Sequence, residues 1–315
     1  MTNTDLSIII VNWNTRQYLA NCLQSLQQTA NATDPLAHTL TFGPYRSEVF
    51  VVDNASQDAS VELARAQFPW AHLIQNDRNV GFAPANNQAL RVSTGRYALL
   101  LNSDTEVKPD ALRRLVDFLE QQPLAGAVGA HLFNADGTLQ PSCQPMLTPW
   151  REFWRLTFLD RALRRSTYDM ARWPDREPRR VDVIKGACLL VRRAALDQVG
   201  LFDEQYFFYT EEVDLCYRLL HAGWTLHWLP TAHVIHYGEA SSQQMAEKMY
   251  VQLYRSKIQF YRKFGGEARA RSFKRLVRAA YWPRLIAATI VRPFRPQIAA
   301  QQHLFRHLLD DLAAM

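Results

Sequence analysis

An apolar run that drops without transition into Asn102-Ser103-Asp104 constrains this chain more than any other feature. Ala98 to Val107 reads ALLLNSDTEV, and Pro109 opens a helix shortly after. The pattern is that of a strand delivering one carboxylate to the C-terminal edge of an α/β sheet, where open sheets bind ligands. An aspartate held there by a rigid strand is placed to grip a divalent cation carrying a diphosphate. The same residue would also serve as a cap on the helix near Pro109.

Two earlier segments end in the same way. Leu6–Val11 reads as a strand that stops at Asn12-Trp13-Asn14, and Glu48–Val52 as one that stops at Asp53-Asn54-Ala55-Ser56. Apolar residues at helical spacing predict helices over Arg16–Gln28, Ser60–Phe68, Pro84–Val92 and Pro109–Gln121, with a short strand at His72–Gln75 and a loop over Asn31–Ser47. This βαβα alternation predicts a doubly wound, mostly parallel sheet flanked by helices. Polar side chains at neighbouring strand ends then converge on one crevice.

The second half is less regular. A strand is expected at Ala127–Phe133, a hairpin turn at Asp136-Gly137, and an excursion from Cys143 to Arg180 with one helix around Arg151–Leu163. A strand follows over Val181–Val191, a helix over Glu211–His221 capped by Gly223, and short strands at Trp224–Trp228 and His233–Ile235. Beyond that the chain reads as helical: Gln243–Phe264, Arg269–Tyr281, Arg284–Val291 and Gln297–Leu312, broken by Pro283, Pro293 and Pro296. Two domains are therefore expected, residues 1–242 and a helical extension, residues 243–315.

Composition excludes several classes. With 48% hydrophobic and 21% charged residues in 315, the chain has the makings of a full core, and extensive disorder is not expected. Cys22, Cys143, Cys188 and Cys216 form no close pair and no metal-ligand spacing; three of them sit in apolar contexts and read as small core residues, and a reducing cytoplasm is expected. Leu6–Val11 is too short for a secretory signal, and Leu285–Val291 falls far short of the roughly 20 apolar residues that span a bilayer. Charge is unevenly placed: from Arg255 onward there are 13 basic and 3 acidic residues, against 23 and 27 before it.

Four further groups carry chemistry. Asp53 is placed either to accept a base N–H or to form an Asx turn into the following helix. Asn79-Val80-Gly81 brings backbone N–H groups to a helix N-terminus, which suits the anionic parts of a nucleotide. Glu211, Glu212 and Asp214 open a helix beside Tyr206, Phe207, Phe208 and Tyr209. Helix dipoles favour acids there, but desolvation and mutual repulsion would also raise one of them toward the neutral range that a general base needs. Finally, His233 and His236 precede Tyr237-Gly238-Glu239-Ala240-Ser241, which reads as a loop folding over the site.

Taken in order, SIIIVNWN, VVDNASQDAS, NVGFAPANNQAL, LLLNSDTEV, the block from Lys185 to Trp224 and HVIHYGEAS resemble glycosyltransferase family 2, the inverting enzymes of the GT-A fold, and especially its rhamnosyltransferase-like branch. The likeness runs from Ser7 to about Ser241. It implies that Asp53 reads the base and that Asp104 is the last acid of a DxD-type metal motif whose first position is Asn102. It implies further that Glu212 stands at the catalytic base and that His236 adds a metal ligand. Asn12, Asn79, Gly81, Ser103 and Arg218 join the donor site, and Trp224 and Tyr209 the acceptor site. Two departures stand out: Asn102 leaves a single acid in the metal motif, and Glu212 replaces the usual aspartate, which keeps Glu211 and Asp214 open as the base. The implied reaction moves a sugar from a nucleotide diphosphate donor to a hydroxyl of a glycan or polyprenyl-linked acceptor, with Mg2+ or Mn2+, in cell-surface polysaccharide synthesis. dTDP-L-rhamnose is the first donor expected, ahead of UDP sugars.

Two other classes are weighed against it. A nucleotidyltransferase would need a Gly-rich, basic loop after the first strand, where this chain has Asn12-Trp13-Asn14-Thr15. A non-catalytic adaptor built on the basic tail would have no use for the Glu211–Asp214 cluster, and no recognised RNA-binding motif accompanies the tail, so no nucleic-acid partner is expected. The tail interleaves its arginines with Phe260, Phe264, Phe273, Leu276, Tyr281, Trp282, Leu285, Ile286, Ile290 and Phe294. It reads as a set of helices lying on an anionic membrane, at the inner face of the cell membrane, or else as an ordinary helical extension.

Overall fold

In strand β1 (Leu6–Asn12) every residue but Val11 is buried, as a β-branched run covered on both faces should be. The computed structural model describes residues 4–160, 166–238 and 246–315. Helix α1 (Arg16–Thr29) follows and buries Leu19, Cys22, Leu23 and Leu26 along one stripe. The expected loop over Asn31–Ser47 is instead a hairpin of β2 (Ala32–Asp34) and β3 (Thr39–Phe42) that runs on into β4 (Tyr45–Asp53). Leu40 and Phe42 alternate with Thr39 and Thr41, a period-2 signal only four residues long. Asp34 Oδ1 closes the turn by accepting from the N–H groups of Leu36 and Ala37.

The expected alternation continues through α2 (Ser60–Gln67), β5 (His72–Gln75), α3 (Phe82–Val92) and β6 (Tyr97–Asn102). A short strand, β7 (Thr105–Val107), then precedes α4 (Ala111–Gln121). Strand β8 (Ala125–Phe133) turns back at Asp136-Gly137 into β9 (Leu139–Gln140), and β10 (Cys143–Gln144) and α5 (Pro149–Leu156) follow. The single strand expected over Val181–Val191 is divided: β11 (Arg179–Arg180), β12 (Val183–Ile184) and β13 (Cys188–Arg192), interrupted by Lys185-Gly186-Ala187. After α6 (Arg193–Val199) and α7 (Glu211–His221), the two short strands expected at Trp224–Ile235 are one 12-residue strand, β14 (Thr225–His236), whose register shifts between Leu229 and His233 to accommodate Pro230.

The sheet runs in the order β11-β14-β8-β13-β6-β1-β4-β3-β2, with β5 beside β4. Strands β4 and β6 are parallel to β1, and β14 is parallel to β8. Because β13 is antiparallel to both β6 and β8, those two run the same way. The C-terminal ends of β1, β4, β6, β8 and β14 thus lie at one edge. Ile8 and Ile10 share a core with Leu19 and Leu23 of α1 and Leu112, Leu115 and Leu119 of α4, while Ile9 faces the other side, on which α3 packs. Truncating a fully buried leucine such as Leu23 to alanine costs about 2–5 kcal/mol. All four cysteines are buried, and burial pushes the thiols of Cys22, Cys143, Cys188 and Cys216 up to about 12.

The chain divides into two units, one of residues 1–146, 169–207 and 211–244, the other of residues 147–168, 208–210 and 245–315. The second is built on α8 (Ala246–Val291) and α9 (Ala299–Ala314), joined by α5. The run of α8 is interrupted at Gly266, whose φ of 69° lies in the left-handed region, but it passes through Pro283, where a break was expected. Tyr281 and Leu285, on either side of the proline, are both buried, so packing is available to offset the hydrogen bond that the proline removes. Inside this unit Lys257 Nζ lies 3.1 Å from Glu152 Oε2, both almost wholly buried, and Arg155 pairs with the same carboxylate.

Candidate active site

Asn12 and Asp53 are register partners at the ends of β1 and β4, and Asn102 pairs with Val11 at the end of β6. Three polar side chains therefore arrive together at one sheet edge. Asn12 Nδ2 donates to Asp53 Oδ1 and to Ser56 Oγ, both at 3.0 Å, and Asn12 Oδ1 accepts from Thr15 Oγ1 at 2.6 Å. Thr15 Oγ1 lies 3.0 Å from Ser103 Oγ, which ties the end of β1 to the Asn102-Ser103-Asp104 turn. Asp53 is 1% exposed, and its Oδ2 accepts the N–H of Ser56 at 2.8 Å, so it forms the Asx-type turn that was one of its two readings.

Asn54 Nδ2 donates to Gly81 O (3.1 Å), and Gly81 N–H donates to Asn79 Oδ1 (3.0 Å), which fixes the start of α3 against β4. Gly81 has φ +97°, and a Cβ there would lie 2.6 Å from Phe207 O, the oxygen that accepts the N–H of Phe82. Only glycine tolerates that backbone and that close approach.

The end of β14 brings His236 opposite Thr105, one residue from Asp104. His236 Nε2 lies 3.2 Å from Asp104 Oδ1 and 3.2 Å from Asn102 Nδ2, with the two acidic and imidazole side chains mostly buried. Gln140 decides the tautomer. Its Nε2 donates to His236 O (3.0 Å) and Asn134 Oδ1 (2.9 Å), so its Oε1 must be the atom 2.6 Å from His236 Nδ1. An amide oxygen only accepts, so Nδ1 carries a proton, and in the neutral ring the Nε2 lone pair faces Asp104 and Asn102. In that form the imidazole, with its distal N–H held by a carbonyl, and the Asp104 carboxylate make a mixed nitrogen and oxygen donor pair compatible with a divalent cation such as Mn2+. Among the described residues no cluster of three His, Cys, Asp or Glu side chains could hold a metal. Diphosphate oxygens and water would complete the shell of an ion held here.

Helix α7 starts with Glu211, which is buried, and burial followed by the charge of Glu212 pushes its carboxyl well above the usual carboxylate range. Glu212 is partly exposed, and Gly186 lies beside it: a Cβ on Gly186 would sit 4.0 Å from Glu212 Cβ and 3.8 Å from the Phe82 ring. The next residue, Ala187, accepts the N–H of Asn102 at 3.1 Å, so two residues connect Glu212 to the end of β6. Asp214 is fully buried, with Oδ1 accepting from Arg218 Nε (2.6 Å) and Oδ2 from Tyr206 OH (3.3 Å).

Other expected site residues lie elsewhere. The Arg218 guanidinium donates to Asp214 and to the carbonyls of Val199, Gly200 and Leu201 at 2.7–2.9 Å, which commits it to holding the loop ahead of α7 rather than to a diphosphate. Trp224 precedes the N-terminal end of β14, at the opposite sheet edge from His236, and donates to Gln198 Oε1 (2.8 Å). Twelve strand residues put that edge roughly 30 Å or more away. Tyr209 falls in the second unit, edge-on to Phe208 at 4.5 Å, and it and Thr210 both have positive φ. His233 is exposed, with its ring edge-on to His131 and Phe133. The loop expected over Glu239–Ser241 lies outside the described residues.

Gln140, Thr15 and Gly186 were not singled out from the sequence. Gln140 carried no local signal beyond its place after the Asp136-Gly137 turn. Gly186 lay inside a segment read as continuous strand.

The model of the family described as Glycosyl transferase family 2 matches residues 7–200, well over half of the chain. The N-acetylglucosaminyl-diphospho-decaprenol L-rhamnosyltransferase of Mycobacterium tuberculosis is 32% identical over 209 residues, 60% of this chain and 66% of that protein. The low-salt glycan biosynthesis hexosyltransferase of Haloferax volcanii is 26% identical over 219 residues, 68% of this chain and 61% of that protein. The chain thus spans just under two thirds of the length of these relatives. The mannosyltransferase PcManGT from Pyrobaculum calidifontis, solved with GDP-Man and Mn2+, has a similar fold (TM-score 0.52, 16% identity, covering 100% of this chain and 87% of that one). GalNAc-T7, solved with UDP, GalNAc and Mn2+, matches with TM-score 0.52 and 16% identity over 82% of this chain and 50% of that one. A GT-A-like α/β sheet with its polar strand ends gathered at one edge, and a family match over residues 7–200, lead to one conclusion: the chain belongs to glycosyl transferase family 2.

Proposed function

We propose that this protein is a metal-dependent, inverting transferase that moves a sugar, L-rhamnose from dTDP-L-rhamnose in the first instance, to a hydroxyl of a polyprenyl-linked glycan. The observation that carries the reading is the Asp104–His236 pair, with its Nε2 lone pair directed by Gln140, at the strand edge that also holds Asn12 and Asp53. The name of the mycobacterial relative supports both the sugar and a diphospho-polyprenol acceptor.

Asp104 and His236 would hold Mg2+ or Mn2+, and the ion supplies Lewis-acid neutralisation of the leaving diphosphate. Asn12, Asp53 and the turn at Asn79-Val80-Gly81 surround the nucleotide side of the crevice. Burial, then the charge of Glu212, raises the Glu211 carboxyl, so Glu211 holds its proton the more tightly, and the partly exposed Glu212 is assigned as the base. As the acceptor oxygen attacks the anomeric carbon, Glu212 takes the hydroxyl proton. The bond from that carbon to the diphosphate oxygen breaks, and its electron pair leaves with the nucleoside diphosphate. One displacement inverts the centre. Asp214 is already saturated by Arg218 and Tyr206, which disfavours it as the base.

The test is a panel of dTDP-, UDP- and GDP-sugars with a synthetic N-acetylglucosaminyl-diphospho-polyprenol and Mn2+, with the product's anomeric configuration read by NMR. Inverted rhamnosyl product, lost in EDTA and in Asp104→Ala, is expected. Turnover of UDP-sugars alone would replace the donor, and full activity in excess EDTA would remove the metal from the reading.

A further inference from the structure

The second unit carries an apolar ridge along the outside of its long helix. Between Phe273 and Ala288, α8 buries Phe273, Val277, Tyr281, Leu285 and Ala288, and Tyr281 packs edge-on against Phe305 of α9 at 5.4 Å. On the opposite face Trp282 is 54% exposed, Ile286 54%, Ile290 63%, and Phe294, just past the helix end, 83%. The four-residue spacing stacks them along one line, and the residues between them on that face, Pro283 and Ala287, are also exposed and uncharged. A helix that is apolar on both faces has one face too many for a water-exposed position.

The surroundings of the ridge identify its occupant. No acid lies between Glu267 and Asp310. Arg271, Arg275 and Arg278 are exposed at one end of the ridge, and Arg292 and Arg295 at the other. Arg284 is not part of this rim, since its guanidinium lies over the rings of Tyr281 (4.8 Å) and Phe158 (4.6 Å). A second copy seated on the ridge across a two-fold axis would bring these arginines against their own equivalents. An anionic bilayer meets both features: acyl chains accept the ridge, and headgroup phosphates accept the arginines. Among the described residues no helix is long and apolar enough to cross a membrane.

We propose that the ridge Trp282–Ile286–Ile290–Phe294 seats in the headgroup boundary of an anionic membrane, with the arginines at its two ends on lipid phosphates. The seat is independent of donor, metal and acceptor. It would bring the protein to the surface in which a polyprenyl-linked acceptor is confined.

The experiment uses full-length protein and sedimentation with phosphatidylcholine vesicles that contain or lack phosphatidylglycerol. Binding only to the anionic vesicles, reversed by high salt, is expected. The triple variant Trp282→Ser, Ile286→Ser, Ile290→Ser should bind at least about tenfold more weakly. Arg275→Gln with Arg278→Gln should lose about tenfold at low salt. These side chains are exposed, so thermal melting and donor hydrolysis should stay at wild-type values, which separates lost docking from lost folding. Wild-type protein that ignores anionic vesicles, or a triple variant that binds as well as wild type, overturns the proposal. A concentration-dependent dimer that the triple variant abolishes also overturns it, by giving the ridge to a second copy. Vesicle binding without any sugar transfer would sink the proposed function and leave this surface standing.

Discussion

Gln140 should govern how tightly the proposed site at Asp104 and His236 holds a divalent cation, although it lies outside every recognised motif. Gln140→Leu keeps the bulk but removes the carbonyl that accepts from His236 Nδ1 (2.6 Å) and the amide that donates to His236 O (3.0 Å) and Asn134 Oδ1 (2.9 Å). Three neutral hydrogen bonds at about 1 kcal/mol each put the loss of stability at roughly 3 kcal/mol. The larger effect is on the imidazole. Without its acceptor the proton can move to Nε2, where Asp104 Oδ1 at 3.2 Å receives it, and that tautomer offers no lone pair to a cation. Loss of such an outer hydrogen bond weakens metal binding by about 10–100-fold, equivalent to about 1.4–2.8 kcal/mol. Titration of Mn2+ against donor hydrolysis should therefore show the half-saturating concentration raised by about 10–100-fold, with kcat at saturation within a few-fold of wild type. Gln140→Glu restores the acceptor and should return the titration toward wild type. An unchanged Mn2+ titration, or a rate loss in folded protein that excess Mn2+ does not recover, would refute the tautomer argument.

Glu212→Gln should lower kcat by about 10²–10⁴ with the donor KM nearly unchanged, as removal of a general base does. Asp214→Ala should act on folding instead, lowering stability by about 3 kcal/mol or more in urea because Arg218 is left unpaired in a buried site; a folded but inactive Asp214→Asn beside an active Glu212→Gln would reverse the two roles. Burial, then the Glu212 charge, raises Glu211 in the folded state, so the folded protein binds that proton more tightly than the unfolded chain. Its contribution is greatest below the ordinary glutamate value of about 4.5 and is lost as pH rises through the raised one. Glu211→Gln should accordingly raise the Tm near neutral pH and flatten its pH dependence while leaving the acid side unchanged, and a Tm profile parallel to wild type would count against the shift. Asp53→Ala should weaken dTDP binding by at least about tenfold in calorimetry, through loss of the carboxylate that orients Asn12 and the Ser56 turn; equal affinity would make Asp53 a turn residue only.

What could be read from the sequence was local. Leu6–Asn12, Tyr97–Asn102 and Glu211–His221 announce themselves by period and by abrupt polar ends, because a strand or helix imposes its repeat on adjacent residues. Even the parallel centre of the sheet followed, since short helical crossovers join its strands. The hairpin at Ala32–Phe42 escaped because four alternating residues are too few to stand out from a polar stretch. The division at Lys185-Gly186-Ala187 escaped because apolar residues on both sides conceal where one strand ends.

Tertiary structure alone decided which of the chemically suitable residues meet. Register between β14 and β7 carries His236 to Asp104, and the β8–β9 turn supplies Gln140, contacts between residues more than 90 positions apart. The same 12-residue strand that delivers His236 leaves Trp224 at the far edge, a separation no local window contains. In the helical unit, Tyr281 and Trp282 are neighbours of similar hydrophobicity, yet one is 3% and the other 54% exposed. Composition determined that this segment would be apolar and basic; which face turned inward depended on Phe305, Leu308 and Leu312, whose positions are set only when α9 folds back onto α8. Local periodicity follows from the backbone and is written residue by residue, whereas partner choice depends on long-range burial that no single segment encodes.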